Sequence, residues 1–188
     1  MTEFDAIKEA LKLREDEMKS KYDRVLPRFE LFNDRWEKGE KLNFEAGANI
    51  YDSSYVFGDV KVGEKTWIGP FTLLDGTGGL IIGAYCNISS GVQIYTHSSL
   101  NWVLTGGKAA YAHDATTIGS CVYIGSQSII DKGVTIGDHS IVAANSYVNK
   151  SYEPYSVIAG TPAKCIGKVN ILENNEVVIT YFEKAVTK

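Results

Sequence analysis

The chain of 188 residues is long enough for one domain with an appended element, and its 44% hydrophobic and 22% charged residues argue against disorder. A net charge of −4 does not indicate a surface that binds nucleic acid. No apolar run approaches the roughly 20 residues that span a bilayer. The acidic residues 1–5 do not resemble a signal peptide, and Cys86, Cys121 and Cys165 lack metal-type spacing. We therefore expect a cytoplasmic protein with reduced cysteines, of which Cys86 and Cys121 belong to the core.

The first 45 residues are predicted to form two helices. Residues 2–26 carry apolar side chains at three- and four-residue spacing, as one face of a helix requires. Pro27 ends this helix, and residues 28–38 form a second one that Gly39 ends. Because such helices are marginal alone, we expect them to pack on one end of the following domain or on a neighbouring subunit. A partner-binding arm is the alternative.

From Ile50 onward, aliphatic residues recur at intervals of six. This period does not fit the 3.6 residues of a helical turn, so it predicts short strands joined by turns, stacked as the coils of a solenoid. The anchors are Ile50, Val56, Val62, Ile68, Leu74, Ile82, Ile88, Ile94, Ile118, Ile124, Ile130, Ile136, Val142 and Val148. With three hexads to a coil, these fourteen anchors predict four to five coils.

Two interruptions break the period. Between Leu74 and Ile82 the phase slips by two residues at a Gly-rich run, which indicates a bulge or, alternatively, a close approach of ligand to the backbone. After Ile94 the period stops, and residues 98–116 are predicted to leave the solenoid as a loop. Loops of this length in compact folds are usually functional or disordered, and this one contains the apolar ring of Trp102.

Three histidines limit the candidates for acid–base chemistry. His97 ends the last hexad before the loop, where a rigid scaffold meets an excursion, and imidazole exchanges a proton near neutral pH. His113 lies beside Asp114 and could pair with it, whereas His139 occupies a corner place that is predicted to face solvent. A zinc site of the three is disfavoured because no two of them are closely spaced, so we predict no metal.

The end of the repeat carries a family resemblance. Residues 136–150, IGDHSIVAANSYVNK, and residues 156–164, SVIAGTPAK, resemble the hexapeptide-repeat acyltransferases. Within that family they are most similar to the O-acetyltransferases of galactosides, maltose and surface polysaccharides. Residues 68–80 and 88–97 resemble the polysaccharide-modifying members especially.

The resemblance implies a mainly β fold, a left-handed parallel β-helix. It would occupy residues 46–168, with the helices of residues 1–45 packed on it and residues 169–188 as a C-terminal tail. The tail contains an apolar run, residues 177–182, that is either a strand or a short helix.

The resemblance also implies a homotrimer that binds acetyl-CoA in clefts between subunits. His97 would be the general base that takes a proton from a hydroxyl of a sugar, nucleotide sugar or glycan precursor. Asp75 would contact the acceptor or orient the histidine, and Trp102 would contact the acceptor. The implied coenzyme contacts are Ser89, Ser126, Ala144, Asn149, Lys150 and Lys164, with Lys168 as a further candidate.

Two other functions stay open at this point. Some relatives acetylate the amine of an amino sugar, and a trimeric β-helix can also serve as a non-catalytic scaffold. This sequence differs from the sugar O-acetyltransferases in the part that would bind the acceptor. The acceptor-binding residues of the galactoside enzymes have no convincing match before Leu74.

Overall fold

Three strand positions and three corners make up each coil of a parallel β-solenoid of about six turns. The computed structural model describes residues 2–182. The helical elements are α1 (Glu3–Tyr22), a 3₁₀ turn (Arg28–Leu31), α2 (Arg35–Lys41) and α3 (Leu100–Leu104). The strands are β1 (Asn49–Ile50), β2 (Tyr55–Val62), β3 (Trp67–Ile68), β4 (Leu73–Ile82), β5 (Asn87–Ile88), β6 (Gln93–Ile94), β7 (His97–Ser98), β8 (Ala112–His113), β9 (Thr116–Ile118), β10 (Tyr123–Ile124), β11 (Ile129–Ile130), β12 (Thr135–Ile136), β13 (Ile141–Val142), β14 (Tyr147–Val148), β15 (Ser156–Gly160), β16 (Ala163–Ile171) and β17 (Val177–Tyr181).

The strands stack into three faces. Face 1 consists of β1, β3, β5, β10, β13 and β15, and face 2 of β6, β11 and β14 with the first halves of β2 and β4. Face 3 consists of β9 and β12 with the second halves of β2 and β4. We call the turns from face 1 to face 2 the first corner, those from face 2 to face 3 the second corner, and those from face 3 back to face 1 the third corner.

The hexad anchors fill the interior, as the period predicts. Ile124, Ile130 and Ile136 are fully buried. Thirteen of the fourteen anchors are buried, and Val56 is half-buried. The prediction of four to five coils was too low. Ile158 pairs with Val142 in face 1 and adds a sixth strand there, although its ten-residue distance from Val148 hides it from the six-residue period.

The N-terminal segment differs from the two predicted helices. The first helix ends at Tyr22, because Asp23 adopts a left-handed conformation that caps it. The second region is divided into the 3₁₀ turn and α2, which continues past Gly39 to Lys41. A Cβ atom on Gly39 would lie 2.6 Å from the carbonyl oxygen of Ala48, so this glycine permits close packing and does not end the helix.

The segment between α1 and β1 covers the N-terminal end of the solenoid. The buried carboxylate of Glu30 accepts hydrogen bonds from the backbone N–H groups of Asp52 and Ser53 at 2.8 and 2.9 Å. The Lys38 ammonium donates to the carbonyl oxygen of Asp52 at 2.8 Å. By contrast, α1 has no buried residue and contacts the 3₁₀ turn.

The C-terminal residues extend face 1 as an antiparallel hairpin. β16 pairs with β15 and then with β17, so the apolar run at residues 177–182 forms a strand instead of a helix. In residues 2–182 no helix is long and apolar enough to cross a membrane.

One prediction about the cysteines is wrong. Cys86 is buried as expected, but Cys121 is exposed at the third corner with φ 59°. The inward place of that hexad belongs to Val122, the next residue along the chain. Cys165 is half-buried, and all three thiols are free.

Candidate active site

The second corner brings together a histidine and a buried carboxylate from neighbouring coils. His97 Nδ1 lies 2.6 Å from Oδ2 of Asp75, whose side chain is 1% exposed. The imidazole itself is 34% exposed, so one edge is held by the protein and the rest remains accessible. Of the two contacts that the sequence left open for Asp75, the structure contains the one to the histidine.

The phase slip in β4 is the bulge that the sequence favoured. Gly58 of β2 pairs with Gly76 and Val60 pairs with Leu80, so three residues of β4, residues 77–79, oppose Asp59 alone. The extra length turns Thr77 toward the site. Its hydroxyl lies 2.7 Å from Asp75 Oδ1 and 3.0 Å from His97 Nδ1.

Glycine is required at this bulge because the backbones lie close together. A Cβ atom on Gly78 would lie 2.4 Å from the carbonyl oxygen of Thr96 in the next coil. The Gly78 N–H donates to the Thr96 hydroxyl at 2.8 Å, and this hydroxyl donates to the Asp75 carbonyl oxygen at 2.8 Å. The bulge therefore fixes the backbone on both sides of the carboxylate.

The Asp75 carboxylate is fully hydrogen-bonded in its buried position. It accepts from the N–H of Thr96 at 2.9 Å and from the N–H of Thr77 at 3.1 Å, besides the Thr77 hydroxyl. Burial by itself raises the pKa of this carboxyl. The hydrogen bonds from Thr96, Thr77 and His97 outweigh burial and hold the pKa well below its ordinary value of 3.8.

This network determines which nitrogen of His97 carries the proton. An ionised carboxylate can only accept, so Nδ1 is the donor and the Thr77 hydroxyl, which donates to Asp75, accepts from the same Nδ1–H. In the neutral imidazole, Nε2 then keeps its lone pair. Within residues 2–182 no group hydrogen-bonds to Nε2, so this atom is available to take a proton from an incoming molecule.

Thr77 and Thr96 are functional candidates that the sequence reasoning missed. A threonine two residues after an acidic residue is a common local pattern, and only the bulge shows that its hydroxyl reaches a residue twenty positions further on. The detectable signal was the coincidence of Asp75 with the phase slip.

The excursion after His97 is an ordered segment. β7 and β8 pair antiparallel, with His97 directly opposite His113 and ring centroids 6.0 Å apart. Between them α3 carries Trp102, whose ring meets Tyr111 edge-on at 5.7 Å. Tyr111 therefore lies between Trp102 and His97, and contact of Trp102 with an acceptor stays a prediction.

The pair of His113 and Asp114 that the sequence left open does not form. Asp114 forms an ion pair with Lys132 of the next coil, and its N–H donates to the carbonyl oxygen of Thr96 at 2.9 Å. Adjacent residues of β-structure point to opposite sides, so His113 faces His97 while Asp114 anchors the end of the excursion. The third histidine, His139, is half-buried in the third corner and stacks on Tyr155 at 4.9 Å.

Five of the predicted coenzyme residues lie at two different corners of the solenoid, and Lys164 and Lys168 lie in β16. Ser89, Ser126 and Ala144 belong to the first corner, where Ser126 and Ala144 occupy adjacent coils. Asn149 and Lys150 follow β14 in the second corner, on the same side as His97. The outer residues, Ala144, Asn149, Lys150 and Lys164, are exposed, whereas Ser89, Ser126 and Lys168 are half-buried. No single corner of one chain therefore contains all of these residues.

Sequence comparisons support the assignment of the repeat. Residues 115–150 match the family described as bacterial transferase hexapeptide (six repeats). A chloramphenicol acetyltransferase of Morganella morganii is 33% identical over 150 residues, covering 70% of this chain and 70% of that protein. The chain belongs to the hexapeptide-repeat transferase family. A second chloramphenicol acetyltransferase, of Agrobacterium fabrum, is 30% identical over 112 residues, and the match spans 50% of this chain and 54% of that relative.

Solved structures of the hexapeptide-repeat family extend the likeness. An acetyltransferase of Vibrio cholerae O1 biovar eltor, complexed with acetyl coenzyme A, is 28% identical with a TM-score of 0.57. The superposition covers 85% of this chain and 87% of that one. The structural similarity therefore extends over most of the chain. The left-handed winding of the solenoid is implied only by the family resemblance.

Acid is expected to remove the stabilisation that Asp75 provides. Because its folded-state pKa lies below the unfolded value near 3.8, the contribution is complete above that value and is lost as the pH falls further. The measurement is the melting temperature of the wild type and of Asp75→Asn from pH 7 to pH 2.5. The wild type should melt higher at neutral pH, and the gap should narrow progressively as the pH falls below about 4. An equal gap at every pH would show that the ionised carboxylate is not stabilised by folding.

Proposed function

We propose that this protein is an acetyltransferase that moves an acetyl group from acetyl-CoA to a hydroxyl of a sugar, nucleotide sugar or glycan precursor, with His97 as the general base. The observation that carries the proposal is the 2.6 Å contact between His97 Nδ1 and the buried Asp75 carboxylate. A neutral imidazole oriented in this way keeps a basic nitrogen at the surface, as general-base catalysis requires.

The reaction follows from the position of that nitrogen. Nε2 takes the proton of the acceptor hydroxyl while the oxygen attacks the thioester carbonyl carbon of acetyl-CoA. The tetrahedral intermediate then collapses, the C–S bond breaks, and the coenzyme leaves as a thiolate that receives the proton from the imidazolium. No acyl-enzyme is needed, because two substrates held in line react directly.

Asp75 contributes to this step by stabilising the imidazolium. Its low pKa keeps it ionised while His97 is protonated, so it accepts the Nδ1–H bond throughout the cycle and does not take the proton. Thr77 supports the same geometry, since its hydroxyl bonds both the carboxylate and the imidazole. Both residues are positioning residues in this account.

The placement of the coenzyme residues favours a site shared by two subunits. Ser126 and Ala144 lie at the first corner and Lys150 at the second, so one subunit's first corner would face its neighbour's second corner. This arrangement requires an oligomer, and a homotrimer is the state that the family resemblance implies. Lys150 and Lys164 are exposed and form no ion pair within the described residues, which leaves their ammonium groups free for phosphates.

The relatives support the donor more directly than the acceptor. The Vibrio structure is a complex with acetyl coenzyme A, and the Morganella and Agrobacterium relatives bear the name of an acetyltransferase. Acetylation of an amine remains the second candidate for the acceptor, because a base at Nε2 can also deprotonate an ammonium group or a developing one.

An acceptor screen with acetyl-CoA tests the proposal. Free thiol would be followed with purified protein and matched pairs that differ only in one group, such as glucose and glucosamine, together with nucleotide sugars and small polyols. We expect thiol release that depends on acceptor concentration and that is greater with hydroxyl acceptors than with their amino counterparts. Mass spectrometry of the product identifies the ester.

Two results would contradict parts of this proposal in different ways. Preferential turnover of the amino sugars would replace the O-acetyltransferase with an N-acetyltransferase. No thiol release together with no binding of acetyl-CoA by calorimetry would favour the non-catalytic scaffold.

A further inference from the structure

Three aromatic rings lie close to the ring of the proposed base. His97, Tyr111 and His113 have similar orientations, since the interplanar angle is 16° between His97 and Tyr111 and 27° between His97 and His113. The corresponding centroid distances are 6.5 and 6.0 Å, which describe offset neighbours. Trp102 stands nearly perpendicular to Tyr111, at 81°. The rings of His97, Tyr111 and His113 are therefore roughly parallel, and the indole of Trp102 is nearly perpendicular to the ring of Tyr111. We call this group of four rings the step.

The step is held in place by the backbone of the excursion. Gly107 has φ +84°, and its N–H donates to the Trp102 carbonyl oxygen at 2.8 Å, so the chain turns back directly beside the indole. The hydroxyl of Thr105 accepts from the N–H of Ala109 at 2.9 Å and leads the chain toward Tyr111. These hydrogen bonds fix the backbone between Trp102 and Tyr111.

The rings remain accessible although they are large and apolar. Trp102 is 43% and Tyr111 45% exposed, and His113 is also exposed. Aromatic rings left open next to a reactive group have a specific use, because the face of a ring packs well against the face of another ring or against the C–H face of a sugar.

We infer that Trp102, Tyr111 and His113 form the platform that selects the acceptor, and that the acceptor is an alcohol carried on a six-membered ring. This inference rests on the proposed function and narrows it. The ring would lie against Tyr111 and His113 with Trp102 at its edge. A hydroxyl on that ring would reach Nε2, because His97 is part of the same surface.

A pyranoside and an aryl alcohol share this chemistry, and the experiment separates them. Steady-state kinetics would compare a methyl pyranoside, benzyl alcohol and glycerol, which has no ring. The variants are Trp102→Ala, Tyr111→Ala and the ring-conserving Tyr111→Phe. The matched control is Leu104→Ala, because Leu104 belongs to the same helix, is 75% exposed and is not part of the step.

We expect each alanine variant at the platform to raise the KM of the ring acceptor about 3- to 10-fold, as the loss of one aromatic contact implies. The KM of acetyl-CoA and the turnover of glycerol should change less than about twofold, because neither uses the platform. Leu104→Ala should match the wild type, and Tyr111→Phe, which keeps the ring, should raise the KM of the ring acceptor less than Tyr111→Ala does. Equal effects on ring and acyclic acceptors, or no effect on either, would overturn the inference.

Two further measurements keep this test independent of the proposed function. Equilibrium dialysis of p-nitrophenyl pyranoside measures binding without turnover. Binding that Trp102→Ala weakens about 3- to 10-fold would support the platform even if the wild type releases no thiol. No binding to the wild type would overturn it. Light scattering determines the oligomeric state, and dissociation of the assembly in Trp102→Ala would show that the rings are a subunit contact.

Discussion

His97→Ala is expected to lower kcat by about 10²- to 10⁴-fold while leaving the affinity for acetyl-CoA unchanged. A buried carboxylate orients the imidazole of His97, and removal of the imidazole leaves the site without this oriented base. Kinetics with the best acceptor of the screen gives kcat, and calorimetry gives the dissociation constant of acetyl-CoA.

His139→Ala is the matched control for this prediction. His139 lies in the third corner, stacked on Tyr155, and has no part in the site. Its replacement should leave kcat within about twofold of the wild type. If His97→Ala also lost acetyl-CoA binding and its oligomeric state, His97 would be a structural residue. Unchanged turnover in His97→Ala would exclude this residue as the base.

Asp75→Asn is expected to lower kcat by about 10²- to 10⁴-fold with a nearly unchanged backbone. An amide has almost the same shape as a carboxylate, but it can donate its N–H₂ to Nδ1 and so favours the tautomer whose proton is on Nε2. That tautomer cannot accept a proton from the acceptor. The amide also carries no charge to stabilise the imidazolium.

The control for the change of a carboxylate to an amide is Asp138→Asn. Asp138 also caps a backbone donor, the N–H of Ser120 at 2.8 Å, but it lies in the third corner. We expect full activity from this variant. Loss of activity in Asp75→Asn together with loss of acetyl-CoA binding would instead indicate disruption of the bulge around Thr77 and Thr96. A lower melting temperature at neutral pH alone is the expected effect of removing the stabilised charge.

Much of the fold could be predicted from a single periodicity. A residue that recurs every six positions must be buried by the coils above and below it, so Ile124 and Ile130 could be placed in the core without further information. The period fails where the chain departs from it. Ile158 was missed for this reason, and Cys121 was assigned to the core because its inward neighbour Val122 is only one residue away.

The site was less accessible to sequence reasoning, because it depends on contacts across coils. The position of His97 before the excursion and of Asp75 at the phase slip indicated where to look. The hydrogen bonds of Thr77 and Thr96 depend on the geometry of the bulge, and the platform depends on how β7 and β8 pair. Neither geometry is determined by residue spacing alone.

The helical segment shows a similar limit. A glycine at position 39 suggested the end of a helix. Gly39 is needed instead because the backbone of α2 lies close to the carbonyl oxygen of Ala48. Only the position of the first coil reveals that a glycine is needed there, since the atom it avoids belongs to a residue outside the helix.

A double-mutant cycle determines whether Asp75 acts through His97. The kcat values of the wild type, Asp75→Asn, His97→Ala and the double variant would be measured with one acceptor under one set of conditions. If the two residues act as one unit, Asp75→Asn should cost less than about threefold in the His97→Ala background, although it costs about 10²-fold or more in the wild type. Equal costs in both backgrounds would contradict the account, because Asp75 would then act independently of the proposed base.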